Sequence, residues 1–376
     1  MRILHTIYDD PKNPWLGGGG AFRTFEICKR LAEHHDVTVL CGSYPGVQVE
    51  EERDGLRVIH VGSSHTYSMS RLSYSLQASR FVARTSPDLW VYSFSAFAPV
   101  LATESTRKDS ILECFHLMQR HASEKHAMLG RIAAATEKAT LKAYDDVISI
   151  SPSVLDEMAR LRGSDRGLHL VYTGVDASCF IDDPSEEDYI LYFGRLDTYT
   201  KGLDLLFEAF ARIGKEAAEI RLIVAGRGTP KRLEELKELS DRQGISDRVT
   251  FTGPVDTDTK ISLFRGSLFN VAPSRYEGWC ISAIEASAAG KAVVGTRIPG
   301  LQDAVKHGET GLLAAAENVH EIADGMRRLL SNPELRDKLG RQGRQWAEQF
   351  TWNNITAAQE NAYRKILEGR NSQNRN

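Results

Sequence analysis

The chain has 376 residues, is 41% hydrophobic and 26% charged, and carries a formal net charge of −3. That length exceeds one ordinary core and predicts two domains, and the composition is that of a soluble globular enzyme. The near-neutral charge argues against an electrostatic nucleic-acid binder, and no apolar run approaches the ~20 residues of a membrane-spanning helix.

The start, MRILHTIY, has no signal-peptide shape and enters a strand directly, Arg2 to Tyr8. A loop follows with two prolines and the run Gly17 to Gly20. Ala21 to His34 reads as an amphipathic helix with Phe22, Phe25, Ile27 and Leu31 on its apolar side. Strands are expected at Val37–Cys41, Leu56–Val61, Asp88–Phe94, Ile111–Phe115 and Val147–Ile150, with a helix over Tyr67–Arg84. Strands alternating with helices mean a parallel sheet covered on both faces. The polar acidic stretch IDDPSEED, from Ile181, is the linker candidate. The alternation then restarts, with strands at Tyr189–Gly194, Ile220–Ala225, Val249–Thr252, Leu268–Ala272, Ala292–Thr296 and Gly311–Ala314. Helices are expected at Leu203–Ile213, Lys231–Gln243 and Phe350–Leu367, with Glu368–Asn376 frayed. Cys28, Cys41, Cys114, Cys179 and Cys280 are scattered without CxxC spacing. They read as reduced cytosolic thiols, not a disulfide or zinc framework.

The most informative stretch is VAPSRYEGWCISAIEASAAGKAVV, Val271 to Val294. It reads as strand, loop, helix, strand, and ligands of such units bind at the carboxyl end of the strand. Glu277 sits in the loop. Glu285 lies on the apolar face of the helix with Ile281, Ile284 and Ala288. A carboxylate there is costly unless paired. It is either bridged to a neighbouring cation or it accepts from ligand hydroxyls. Arg195 ends one strand after Gly194, and Lys201 opens the next helix. Together they suit a phosphate pair, with solvated surface charges as the bland alternative.

Arg227 in Gly226-Arg227-Gly228, and Thr252 before Gly253, occupy two further strand ends suited to a nucleotide base. The glycine run fails the dinucleotide fingerprint, because eight residues separate Tyr8 from Gly17. Gly18 and Gly19 remain candidates for lining a cleft, with a plain surface loop as the alternative. Asp256-Thr257-Asp258 precedes an apolar helical run and reads as a helix cap, so no metal is expected. His116 follows the strand SILECF, and Arg120 belongs to a basic run suited to helix surface or to an anionic acceptor.

The E-x7-E spacing of Glu277 and Glu285, FGRLDTYTKG, VAGRG, VTFTGPV, RIPGLQDAV, HGETGLL and a final FTW helix resemble, in order, the retaining glycosyltransferases of family 4. The resemblance covers the second half; in the first it rests on the glycine loop, PDLWVYSF, His116 and VISIS. It implies the GT-B fold: two Rossmann-like doubly wound α/β domains facing across a cleft. These are an acceptor domain at 1–180, a donor domain at 181–350, and a helix at 351–376 crossing back to the first.

Carried over by position, Arg195 and Lys201 would bind a donor diphosphate, Glu277 the donor sugar and Glu285 the ribose. Backbone N–H groups of Gly278, Trp279, Cys280 and Ile281 would cradle sugar and phosphate. His116 would meet the sugar from the other domain. Trp279-Cys280 stands where the family has Phe-Gly, and Ser282 where it often has proline. The expected activity is cytoplasmic transfer of a hexose from a UDP-, GDP- or ADP-sugar to a glycan, lipid-linked or small acceptor. No cofactor or metal is expected, and peripheral membrane association is compatible with it. A nucleotide-sugar epimerase and a non-catalytic sugar-nucleotide binder are the alternatives.

Overall fold

The computed structural model describes residues 1–117, 127–183, 185–214 and 218–373. The chain forms two compact units, one of Met1–Thr173 with Trp352–Asn376, the other of Gly174–Thr351.

The first unit holds an eight-stranded sheet: β1 (Arg2–Thr6), β2 (Asp36–Gly42), β3 (Glu50–Arg53), β4 (Leu56–Val61), β5 (Leu89–Ser93), β6 (Ser110–Cys114), β7 (Asp146–Ser149) and β8 (Leu168–Leu170). Their spatial order is β3-β4-β2-β1-β5-β6-β7-β8, parallel except for the antiparallel pair β3–β4. The short edge strands β3 and β8 escape the sequence reading. Glu50–Arg53 is EEER, and Leu168–Leu170 has three residues, so neither carries an apolar run. The buried strands do carry one, as a sheet covered on both faces requires.

The second unit holds β9 (Tyr189–Phe193), β10 (Arg221–Ala225), β11 (Val249–Gly253), β12 (Asn270–Ala272), β13 (Val293–Arg297) and β14 (Gly311–Ala315), all parallel. Their order is β11-β10-β9-β12-β13-β14. The order reverses between β9 and β12. In open α/β sheets that switch point opens a crevice beyond the carboxyl ends of the strands. The core on one face is built from residues such as Leu206, Phe207 and Phe210 against Leu222, Val224 and Val294.

Two expectations change here. The acidic stretch read as the linker belongs to the second unit, because cations hold it there. Arg336 takes Glu186 through two nitrogens, Arg344 pairs with Asp182 at 2.8 Å, and buried Lys291 donates to the Ser185 carbonyl at 2.8 Å. The last helix, Trp352–Gln373, runs past the expected frayed point at Glu368. Arg370 anchors it, donating to Asp146 at 2.6 Å and to the Ser110 carbonyl at 2.7 Å.

That helix packs on the first unit around a buried charge. Arg23 and Glu113 pair at 3.0 Å with both side chains 1% exposed. Arg23 also donates to Gln359 at 2.8 Å and to the Val171 carbonyl at 3.1 Å. Gln359 donates to Glu113 at 2.7 Å and to the Tyr363 hydroxyl at 2.8 Å. Tyr363 reaches His5 at 3.3 Å, and Ser93 donates to the second Glu113 oxygen at 3.1 Å. Burial pushes Glu113 up, but Arg23, His5 and these donors hold its carboxyl below the usual range. Burial pushes the His5 imidazole down to about 4, against the pull of Glu113.

Among the described residues no helix is long and apolar enough to cross a membrane. All five cysteines are buried and free.

His5 gives the first unit a testable acid response. Folded His5 stays neutral down to about pH 4, whereas its ordinary value is 6.5. The unfolded state therefore binds more protons between the two, and stability falls as pH drops through that window. Asp9, which burial pushes up to about 6, acts in the opposite sense over an overlapping range. Comparing wild type with His5→Gln cancels Asp9. Wild type is expected to lose stability faster on acidification, by at most about 1.4 kcal/mol per pH unit. Parallel stability curves would remove His5 from the acid response.

Candidate functional site

The site residues of the second unit gather at the carboxyl ends of β9 to β12. After β9 the chain runs through Gly194, Arg195 and Lys201 into the helix Leu203–Ile213, capped by Gly202. After β12 it runs through Pro273, Ser274 and Glu277 into the helix Ile281–Ala288. These two loops flank the switch point and are joined along their length. Gly202 has φ +65, and a Cβ there would stand 2.0 Å from the Pro273 carbonyl oxygen, so only glycine permits the approach. The Arg275 amide donates to the Thr200 carbonyl at 3.0 Å. The Arg275 guanidinium grips both Asp204 oxygens at 2.8 Å, donates to the Tyr199 carbonyl at 2.9 Å and also pairs with Glu317.

Lys201 and Glu277 meet as a result. The ammonium donates to Glu277 Oε1 at 2.6 Å, and Ser274 Oγ donates to the same oxygen at 2.8 Å. The two side chains are only 21% and 9% exposed. Arg195 is exposed, and among the described residues its guanidinium has no hydrogen bond or ion pair. Its carbonyl accepts from Tyr192, whose hydroxyl lies 2.7 Å away. A partly buried lysine and an open arginine at one strand end form a setting for an anion.

Glu285 is buried on the helix Ile281–Ala288, and Lys260 donates to it at 2.8 Å. The neighbouring cation that the sequence left as one alternative is therefore present. Burial is the largest influence on the Lys260 ammonium and lowers it, but Glu285, Cys179 and Asp176 together raise Lys260 above its ordinary value. Lys260 comes from the helix Thr257–Gly266, whose N-cap is Asp256, accepting from the Thr259 amide at 2.8 Å. Asp256 thus acts as a cap. Arg227 and Thr252 are exposed at the ends of β10 and β11. The Arg227 carbonyl accepts from the Leu196 amide at 2.6 Å, which ties the β9 and β10 loops together.

Trp279 is turned into the core, 2% exposed, with its ring 5.1 Å from that of Phe350. Any contribution of this residue to a donor comes from its backbone N–H, not from the indole. Cys280 carries φ +77 and ψ 78 at the helix start. Few side chains adopt that conformation without strain. Glycine, which the family has here, would accept it freely. Burial pushes the Cys280 thiol up to about 12, with Glu277 adding to the shift. Gly278 and Ile281 are half-buried beside it.

In the first unit, Gly18 caps the helix Gly19–Leu31. Asp9 holds the glycine loop, accepting from the Gly17 amide at 3.1 Å and the Gly18 amide at 2.8 Å. His116 is exposed just beyond β6, and Arg120 lies outside the described residues. Asp10, Cys41 and His60 form a buried trio of potential metal ligands that sequence spacing conceals. The Asp10 carboxylate already accepts from both Arg53 nitrogens at 3.1 Å, and His60 Nε2 lies 3.0 Å from it. Sequence reasoning missed Lys260, Arg275, Ser274 and Asp9. Arg275 and Ser274 lay inside the quoted motif; the Arg275 partner Asp204 is 71 residues away and nothing local marks it, whereas Ser274 stands only three residues before its partner Glu277 and that spacing could have marked it.

Comparison with known proteins accounts for most of the chain. Residues 17–178 match the model described as Glycosyltransferase Family 4, and residues 180–346 match Glycosyl transferases group 1. The chain belongs to the family 4 glycosyltransferases. A glycogen synthase of Mycobacterium tuberculosis is 26% identical, with 96% of this chain and 94% of that protein aligned. Among solved structures, sucrose-phosphate synthase from Thermosynechococcus elongatus superposes with a TM-score of 0.83 at 23% identity, covering 98% of this chain and 99% of that one. Anabaena HepE, in complex with UDP and glucose, superposes at 0.75 and 18% identity over 99% and 100%. The two parallel-sheet units are those of the GT-B glycosyltransferase fold that the motifs implied.

The strained residue allows a direct check of the loop. Cys280→Gly trades relief of the left-handed strain against unfolded-chain entropy, and is expected within about 1 kcal/mol of wild type. Cys280→Val is expected to cost about 2 kcal/mol more, because a β-branched residue resists positive φ. Equal stability of the two variants in urea titration would show that the segment is not held left-handed.

Proposed function

We propose that the chain is a retaining hexosyltransferase that moves a sugar from a nucleotide diphosphate donor to an acceptor hydroxyl in glycan, exopolysaccharide or glycolipid synthesis. The observation that carries this reading is the meeting of Lys201 and Glu277 at the β9–β12 switch point, with Arg195 open beside them. In this reading the donor diphosphate lies against Arg195, Lys201 and the first N–H groups of the helix Ile281–Ala288. Glu277 takes sugar hydroxyls, and Glu285 takes the ribose.

The anomeric carbon–oxygen bond breaks toward the diphosphate. The acceptor oxygen forms the new bond on the same face, and its proton passes to the leaving phosphate. Charge grows on the diphosphate as the bond breaks, so the two cations bind the transition state more tightly than the ground state. They supply the positive charge a divalent ion would otherwise bring, and the reading therefore requires no metal. His116 is given a part in the transfer by the family motif alone. HepE, solved with UDP and glucose, makes UDP-glucose the first donor to assay.

With UDP-glucose turnover in hand and EDTA present, Arg195→Ala is expected to lower kcat/KM by about 2–4 kcal/mol, roughly 30- to 1,000-fold. Wild-type kcat/KM in that variant, or loss of wild-type turnover to EDTA with recovery on adding a divalent ion, would sink the reading.

Lys260 acts through Glu285. Lys260→Met is expected to raise the donor KM about tenfold with kcat nearly unchanged, because Glu285 loses its fixed orientation before any bond breaks. Lys260→Arg should restore most of the affinity. A fall in kcat at constant KM would contradict a ribose-side role.

A further inference from the structure

The helix Tyr67–Arg84 is apolar on two opposite faces. Tyr74, Ala78 and Val82 are buried against the sheet. Met69, Leu72 and Leu76 follow one another at i, i+3 and i+7 on the other side, 52%, 69% and 55% exposed. A helix covering a sheet needs only one apolar face. The segment after β5 widens the second one. Arg71 stacks 4.5 Å over the Phe97 ring and donates to the Phe97 carbonyl at 3.3 Å, while the Leu101 amide donates to Ser79 at 2.8 Å. Phe97 and Leu101, 40% and 69% exposed, are thereby held alongside the helix. Half of the large exposed hydrophobic residues among the described residues lie here, which makes the patch a feature and not scattered surface apolarity.

The helix and the stretch beside it carry charge of one sign. The helix contains Arg71, Arg80 and Arg84 and no acidic residue, and the stretch 94–102 contains none either, on a chain whose net charge is −3. Arg80 and Arg84 are exposed, and among the described residues neither has an ion-pair partner. Arg80 falls on the same stripe as Met69, Leu72 and Leu76 by helical spacing.

We propose that this face docks the first unit on an anionic lipid surface, with Met69, Leu72, Leu76, Phe97 and Leu101 entering the headgroup boundary and Arg80 and Arg84 meeting lipid phosphates. Apolar side chains bordered by arginines are the pattern of an interfacial helix. A second copy of the chain fits less well. An isologous pairing would set an all-cationic helix against itself with no carboxylate on either side. The surface belongs to the first unit, and Arg195, Lys201 and Glu277 belong to the second, so the proposal uses no residue of the donor assignment.

The test is co-sedimentation of the full chain with phosphatidylcholine vesicles, with and without phosphatidylglycerol, at low and high salt. The protein is expected on the anionic vesicles only, with binding weakened by salt. Both Leu72→Glu/Leu76→Glu and Arg80→Glu/Arg84→Glu should reduce binding roughly tenfold or more. Because all four positions are exposed, circular dichroism and Tm should stay as in wild type. Absence of binding, equal binding to neutral vesicles, or unchanged binding by both double variants would overturn the proposal. So would a dimer in light scattering that these substitutions dissociate, which would assign the face to a second copy.

Discussion

The site in the second unit depends on two polypeptide backbones lying closer than side chains allow. Gly202 abuts the Pro273 carbonyl, and a Cβ at Gly300 would stand 2.6 Å from the Glu277 and Gly278 carbonyl oxygens. Both glycines have positive φ. The Glu277 loop is therefore clamped between the turn that carries Lys201 and the turn that opens the helix Leu301–Ala304. With its backbone fixed on both sides, Glu277 has little choice of position, and a 2.6 Å contact with Lys201 follows. Arg275 adds the electrostatic half of the same clamp by holding Asp204, Glu317 and the Tyr199 carbonyl at once. The charges that could engage a ligand, Arg195 and the Lys201–Glu277 pair, are displayed by loops that other charges and glycines hold still.

The first unit uses a buried charge for a different purpose. Desolvating Arg23 and Glu113 costs several kcal/mol per ion unless every donor and acceptor is met. Here the partners come from β5, β6, the glycine-loop helix, the segment at Val171 and the last helix. A hydrophobic contact would tolerate sliding of the Trp352–Gln373 helix. Gln359 must bridge Arg23 and Glu113 together, so it admits one register. Arg370 fixes the far end by the same logic on Asp146. The terminal segment returns to the first unit by polar matching as much as by the apolar contacts of Trp352, Ile355, Tyr363 and Ile366.

Much of this was legible in the chain because buried parallel strands are short apolar runs and their ends are marked by glycine or proline. The family was implied by resemblance, because the motif around Glu277 and Glu285 stands in order with FGRLDTYTKG, VAGRG and HGETGLL. What could not be read is long-range pairing. Nothing near Glu285 names Lys260, and nothing near Arg23 announces that an arginine in an amphipathic helix will be 1% exposed. The acidic stretch after Ile181 looked like a linker because its composition is polar. Its place is set by Arg336, Arg344 and Lys291, more than a hundred residues on. The second apolar face of the Tyr67–Arg84 helix was hidden for the opposite reason. Apolar residues on both sides of a helix blur the periodicity that would reveal either.

At Trp279-Cys280 the chain departs from the motif on the core side of the loop. The indole enlarges the core against Phe350, itself packed edge-on against Trp346 at 4.9 Å, and so adds nothing to the exposed loop. Cys280 keeps the left-handed turn that aims the first N–H groups of the next helix, at a cost in strain that a glycine would avoid. Its thiol is buried and held protonated, so the substitution brings no new nucleophile beside Glu277. Both side chains are buried on the core side of the loop, which leaves its less buried side to Gly278 and the backbone around it. On the donor reading proposed above, differences in sugar preference among relatives that differ here should be sought at Gly278 and Glu277 and not at the tryptophan.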